Sequence, residues 1–266
     1  SNVKEIYDKV AELRTNPDNR ILNQFEDMGN YRFHHHVTGG SAVELAQELK
    51  SLEISEGGIA AFVSAMGSGG TIAAGDRIQQ DFPSCRIVGV EPIQCPTLFN
   101  VGFGAHAIEG IGDKHVTWIH NVRATDLLVC VDDRSCLRGL QLLQEGGDVL
   151  HRHLGIDPGF LECVRGTFGV SGVCNVLAAI QSAHHLNLGA DDLIMTVATD
   201  GFDRYPSVLR RLDEEEGPQT EDVARKRIAI FREQSPQMVL NGSEAVCRRW
   251  HNQKYFTWVE QQGMSV

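Results

Sequence analysis

The sequence predicts an α/β protein built on a doubly wound parallel sheet. Two observations carry this. Short, nearly continuous apolar runs alternate with stretches whose apolar residues recur at helical spacing. The runs show little polar alternation, as strands do when both faces of a parallel sheet are covered. The chain has 266 residues, 42% apolar and 22% charged, enough to bury such a core.

The elements follow in order. Ile6, Val10 and Leu13 have helical spacing, and Asn16-Pro17-Asp18-Asn19 ends that helix. A second helix fits Ala42 to Leu52. Ile59-Ala60-Ala61-Phe62-Val63 is a strand, a glycine-rich turn follows, and helical spacing resumes from Thr71 to Phe82. Arg86 to Val90 and Leu127 to Val131 are strands, the latter followed by a helix from Ser135 to Gln144. Val173 to Leu186 is helical, and Leu193 to Val197 is a further strand. Asp213 to Asp222 holds six acids around Gly217-Pro218 and is expected to be a solvated linker. Val223 to Phe231 and Ser243 to Val259 can form helices.

Charge and cysteine usage narrow the function. The formal net charge is −11. An acidic chain gains no counterion-release energy from nucleic acid and is repelled by anionic lipid, so neither is an expected partner. The seven cysteines are irregularly spaced and form no CxxC pair. Buried free thiols in a reducing compartment fit them better than disulfides or zinc, and a cytoplasmic location follows. No run reaches the roughly 18 apolar residues of a membrane span. Ser1-Asn2-Val3-Lys4-Glu5 lacks the apolar core of a signal peptide.

In an open α/β sheet the site lies beyond the carboxyl ends of the strands. There, Met66-Gly67-Ser68-Gly69-Gly70-Thr71 follows a strand and opens a helix. Its glycines let backbone N–H groups approach a ligand. With the positive end of the helix they form an anion cradle, to which Ser68 and Thr71 add hydroxyls. It is neither a Walker loop nor a dinucleotide fingerprint. From this segment alone, a phosphate cradle and a tight turn that binds nothing stand at even odds.

Wider context resolves this. Asn23-Gln24-Phe25-Glu26-Asp27, His34, Thr38-Gly39, the Gly67–Thr71 loop and Val88-Gly89-Val90-Glu91-Pro92 occur in one order. Glu109-Gly110-Ile111-Gly112, Phe168-Gly169-Val170-Ser171-Gly172 and Asp200-Gly201-Phe202-Asp203-Arg204-Tyr205 continue it. The ordered set resembles the fold-type II pyridoxal-phosphate enzymes, in the cysteine synthase and cystathionine β-synthase group. The resemblance runs from Asn23 to Arg211. It implies a tryptophan synthase β-like large domain over residues 23–212, the end of a smaller N-terminal domain over 1–22, and an acidic linker with a helical extension over 213–266.

The resemblance also implies the chemistry. Pyridoxal 5'-phosphate is the cofactor, its phosphate held by Gly67, Ser68, Gly69, Gly70 and Thr71. Gly110, Ile111 and Gly112 form a mobile wall for a small amino-acid substrate. The reaction is β-elimination or β-replacement on a serine- or cysteine-type amino acid, in a homodimer. The family's pyridine-nitrogen partner is a hydroxyl residue followed by glycine. Aligned without a gap it falls on Gly201, which cannot serve. Thr199 is favoured and Asp200 is close behind; a neutral hydroxyl suits β-elimination, whereas an acid would protonate the ring. The Schiff-base lysine is not found: Lys4, Lys9, Lys50, Lys226 and Lys254 lack its setting, and Lys114, near the cleft, does not match its position. No catalytic residue is therefore assigned within the chain, and the lysine is expected in a missing N-terminal segment. The alternatives are a dehydratase or cysteine desulfhydrase on the same scaffold, a non-catalytic subunit, and, more weakly, a nucleotide-binding module.

Other residues read as structural. Three successive histidines, His34-His35-His36, on an extended strand point to opposite faces and so do not bind one metal ion. His151, His153, His184 and His185 suit helix C-termini. Asp132-Asp133 suits an N-cap for the helix after it rather than a pair of acid/base groups. Glu91-Pro92 reads as a strand-end turn, and Trp250, Phe256 and Trp258 as packing residues, with a subunit contact open to them.

Overall fold

A computed structural model describes residues 3–234 and 238–265. The elements are α1 (Val3–Arg14), α2 (Met28–Phe33), α3 (Gly39–Ser51), β1 (Ile59–Ala65), α4 (Ala73–Asp81), β2 (Arg86–Pro92), α5 (Thr97–Asn100) and β3 (Leu127–Val131). They continue as α6 (Asp133–Glu145), α7 (Gly147–Leu154), α8 (Pro158–Val164), α9 (Val170–Leu186), β4 (Leu193–Thr196), α10 (Pro206–Glu216), α11 (Glu221–Arg227), α12 (Ala229–Arg232), β5 (Val239–Asn241) and α13 (Glu244–Tyr255). A π-helical turn at His34–Thr38 joins α2 to α3, and another at Phe256–Gln261 continues α13.

The sheet order is β4-β1-β2-β3-β5. The first four strands are parallel, and β5 pairs antiparallel with β3 through Leu127↔Asn241 to Val129↔Val239. The chain steps from β1 to β2 to β3 in one direction, then returns to place β4 on the other side of β1. That reversal makes β1 and β4 the switch point, beyond whose carboxyl ends α/β sheets bind ligands.

Alternate residues of each strand feed opposite faces. Ala61, Val63, Val88, Val90 and Val129 pack beneath α6 and α9 with Val173 and Leu177. Phe62 turns the other way, toward Val43 and Ala46 of α3 and Ala74 and Ile78 of α4. Ile87 and Leu128 meet Trp250 of α13. Trp250 and Trp258 are fully buried. Each removes on the order of 200 Å² from water, or about 5 kcal/mol before entropic cost.

Several local expectations differ from the structure. Asp213 to Glu216 lie in α10 rather than in a linker, and three of them have side-chain partners: Gln141 Nε2 donates to Asp213 Oδ1 at 2.8 Å. Glu215 meets Arg134 and Arg211, and Glu216 meets Arg134, Arg138 and the buried Arg227. Opposite charges on α6 and α11 supply what a linker would have taken from water. The histidine trio occupies a helical turn, not a strand, because α2 and α3 run together through it. Among the described residues no group of three or more His, Cys, Asp or Glu could hold a metal ion. Glu91 and Pro92 are the last two residues of β2, and the turn begins at Ile93. Glu91 is buried, and its carboxylate accepts from Leu98 N at 2.8 Å and Phe99 N at 3.2 Å. Asp132 does cap α6, accepting from Ser135 N at 2.8 Å.

Candidate functional site

Each glycine-loop residue is placed by the strand before it. β1 ends at Ala65, residues 66–72 form the loop, and α4 begins at Ala73, two residues later than the sequence spacing predicts. Gly69 has φ +78°, a conformation that costs L-residues with a Cβ about 1 kcal/mol or more. Gly67 admits the neighbouring loop: a Cβ there would lie 2.6 Å from the Gly110 carbonyl oxygen. Gly112 N–H donates to the Met66 carbonyl at 2.9 Å, which binds the two loops together. Among the described residues, the N–H groups of Gly67, Ser68, Gly69 and Thr71 find no acceptor. Unpaired donors on a concave glycine turn are free to take up an anion.

The parallel pairing of β1 with β4 brings a second loop alongside. Val63 is in register with Thr196, and Thr196 Oγ1 donates to the Val63 carbonyl at 2.7 Å. Asn175 of α9 ties the two strand ends. Its Oδ1 accepts from Ala65 N at 2.7 Å and its Nδ2 donates to the Val197 carbonyl at 2.8 Å, with the residue 1% exposed. The loop after β4 then carries Thr199 and Asp200 to the cradle.

Gly67–Thr71, Gly110, Ile111, Thr199 and Asp200 line one cavity of about 360 Å³, together with Glu109, Ser171 and Tyr205. Ser171 Oγ and Thr199 Oγ1 are 2.6 Å apart. Asp200 is committed elsewhere: Tyr205 Oη donates to it at 2.8 Å, and Thr199 Oγ1 lies 3.2 Å away. Burial, and then that hydrogen bond, push the Tyr205 phenol up, so it stays the donor. Gly112 does not line this cavity. It lines the adjoining cleft of about 940 Å³, which shares Gly67, Ser68, Gly110 and Ile111.

Among the described residues, no lysine lines the smaller cavity. Lys114 lines the larger cleft, where its ammonium lies 5.4 Å from the Phe103 ring centre. The side chain of Lys4 lies outside the described residues. Sequence reasoning missed Asn175 and Asn30, whose Nδ2 donates to Ser68 Oγ at 2.9 Å. Asn30 lies 38 positions from its partner, and nothing local marks it. The pairing of Asn175 was equally unmarked.

This fold, with glycine N–H groups at the switch point and a facing hydroxyl pair, is the fold of the fold-type II pyridoxal-phosphate enzymes. Within it, the chain is similar to cysteine synthases. It is 28% identical over 208 residues to cysteine synthase B of Campylobacter jejuni, covering 77% of this chain and 59% of that protein. It is 26% identical over 206 residues to cysteine synthase of Staphylococcus aureus, covering 77% and 58%. A hydrogen sulfide-producing enzyme from Fusobacterium nucleatum superposes with TM-score 0.61 at 28% identity, over 89% of this chain and 62% of that one. O-acetylserine sulfhydrylase isoform 3 of Entamoeba histolytica shares the fold, with TM-score 0.59 at 20% identity over 85% and 58%. No protein-family model matches the chain. The chain thus spans about three fifths of the length of these relatives.

Proposed function

We propose that this chain is the cofactor-binding portion of a pyridoxal-phosphate enzyme that carries out β-elimination or β-replacement on a serine- or cysteine-type amino acid. The observation that carries the reading is the cavity itself. It has the unpaired N–H groups of Gly67, Ser68, Gly69 and Thr71 at one end and the Ser171–Thr199 hydroxyl pair at the other. The donor set fits the cofactor's phosphate without a lysine in the loop.

When bound, the cofactor supplies an electron sink for the substrate carbon beside the amine. The chain's residues do the rest. The cradle N–H groups and the Ser68 and Thr71 hydroxyls hold the phosphate and fix its orientation. Thr199 would partner the ring nitrogen as a neutral hydroxyl, with Asp200 already occupied by Tyr205 Oη. The Gly110–Gly112 loop walls the substrate side; Gly110 and Gly112 both have positive φ.

The lysine that attaches the cofactor is proposed to come from outside these 266 residues. The absence of a lysine from the cavity lining supports this. The same absence favours a second reading, a non-catalytic subunit. A cytoplasmic homodimer is the proposed setting. Seven unpaired cysteines, five of them buried, support a reducing compartment. No helix among the described residues is long and apolar enough to cross a membrane.

Borohydride reduction with peptide mapping tests the lysine. A pyridoxyl label outside these residues supports the synthase reading, no label supports the non-catalytic subunit, and a label on Lys114 overturns the site assignment. Products from O-acetylserine plus sulfide, compared with cysteine alone, separate synthase from desulfhydrase or dehydratase chemistry.

A further inference from the structure

The phosphate cradle has a wall behind it. A Cβ on Gly69 would lie 2.7 Å from Thr117 Oγ1 and 2.9 Å from His120 Cβ, so the loop rests directly on residues 117–120. His120 is buried, and its Nε2 lies 3.0 Å from Thr125 Oγ1. Burial lowers its pKa to about 3, so the imidazole is neutral and acts as a spacer.

This wall is held from two sides. From the N-terminal side, the Phe25 carbonyl accepts from Trp118 N at 2.9 Å and Ile119 N at 3.3 Å. From the C-terminal side, Lys254 Nζ donates to the His120 carbonyl at 2.9 Å, and Trp258 Nε1 donates to the Val116 carbonyl at 2.8 Å. The Lys254 ammonium also lies 5.2 Å from the Trp118 ring centre. The same helix is anchored independently of the wall. Trp250 Nε1 donates to the Leu98 carbonyl at 2.8 Å, and Arg249 donates to Leu98 and Phe99 carbonyls at 2.7 and 3.0 Å. α13 is therefore fixed at one end and reaches the cradle's support with the other. Lys254 lines neither cavity.

We propose that the C-terminal helix sets the conformation of the phosphate cradle, with Lys254 as the positioning residue that acts through residues 117–120. The inference rests on reading the Gly67–Thr71 loop as a phosphate site. A wall free to shift lets the loop leave its binding-competent shape, and apparent affinity falls in proportion to the competent fraction. A charged donor on a half-buried carbonyl, reinforced by a cation–π contact, is strong enough to hold that fraction near one.

The test uses the full chain with Lys254→Met, which keeps the stem and removes the donor, and Lys254→Arg, which restores one. Amide hydrogen exchange is read at residues 67–72, and pyridoxal phosphate affinity is read by equilibrium titration. Lys254→Met is expected to speed exchange in the loop and weaken affinity about tenfold. The melting temperature should stay nearly unchanged, and Lys254→Arg should recover most of both losses. Should Lys254→Met fail to fold, Trp258→Phe, which keeps a six-membered ring but loses the Nε1 donor and part of the buried indole, takes its place; its melting temperature is expected to fall, and exchange and affinity to change in the same direction. A lowered melting temperature with unchanged exchange and affinity would overturn the proposal. If wild type binds no pyridoxal phosphate, the reading of the loop fails, while the ligand-free exchange comparison still decides whether Lys254 orders it.

Discussion

The hydroxyls of Ser171 and Thr199 stand 2.6 Å apart, on the first turn of α9 and on the loop after β4. Only one of them can donate in that pair; with Ser171 as the donor, the Thr199 hydrogen is shared between Asp200 Oδ1, 3.2 Å away, and the cavity. Thr199→Ala is expected to weaken pyridoxal phosphate binding roughly tenfold, as a lost hydrogen bond to a ring heteroatom does. Thr199→Ser should bind as wild type does. Asp200→Asn should leave the bound absorbance spectrum in place, because Asp200 serves Tyr205. A spectral change with Asp200→Asn and none with Thr199→Ala would reverse the two roles.

Gly69 combines a positive φ with a wall less than 3 Å from where a Cβ would sit. Gly69→Val should abolish measurable cofactor binding. It should cost about 2 kcal/mol in denaturant unfolding, from strain and crowding together. Retained binding would mean that the loop does not contact the phosphate.

Asn175 satisfies one backbone donor on β1 and one acceptor beyond β4 from a buried position. Asn175→Ala leaves both unpaired, and an unfolding cost of about 3 kcal/mol is expected. Asn175→Asp keeps the acceptor but buries a charge, and should be no better.

Burial pushes Glu91 from its ordinary 4.5 up to about 7, against the opposing bonds from Leu98 and Phe99. The folded state therefore binds more protons than the unfolded state between those values. Its contribution is fully present below about pH 4.5 and is lost as pH rises through about 7. Subtracting the stability profile of Glu91→Gln from that of wild type should leave a curve that falls with pH across this window, by up to about 1.4 kcal/mol per unit. A flat difference would place the carboxylate in its ordinary range.

The fold was legible where the pattern was local. The four parallel strands appear as apolar runs, and Leu127–Val131 has the bounds the sequence suggests. The glycine turn was legible because its three glycines fall between an apolar run and a stretch of helical spacing. β5 was not, since three residues at Val239–Asn241 carry too little periodicity and exist as a strand only by pairing with β3 over 100 positions away. The acids of α10 were read as solvated because their partners, Arg134, Arg138 and Arg227, are remote in sequence. The tryptophans of the extension were legible as packing residues. What they pack against, the segments at Leu98 and Val116, was not.

The central claim is that the cavity between the β1 and β4 loops takes pyridoxal phosphate by its phosphate. Equilibrium titration of the chain with pyridoxal phosphate, with inorganic phosphate and ATP as competitors, tests it most directly. The account predicts saturable binding of one equivalent per chain, displaced by phosphate, insensitive to ATP and lost in Gly69→Val. Binding that ATP displaces, or that survives Gly69→Val unchanged, would contradict it.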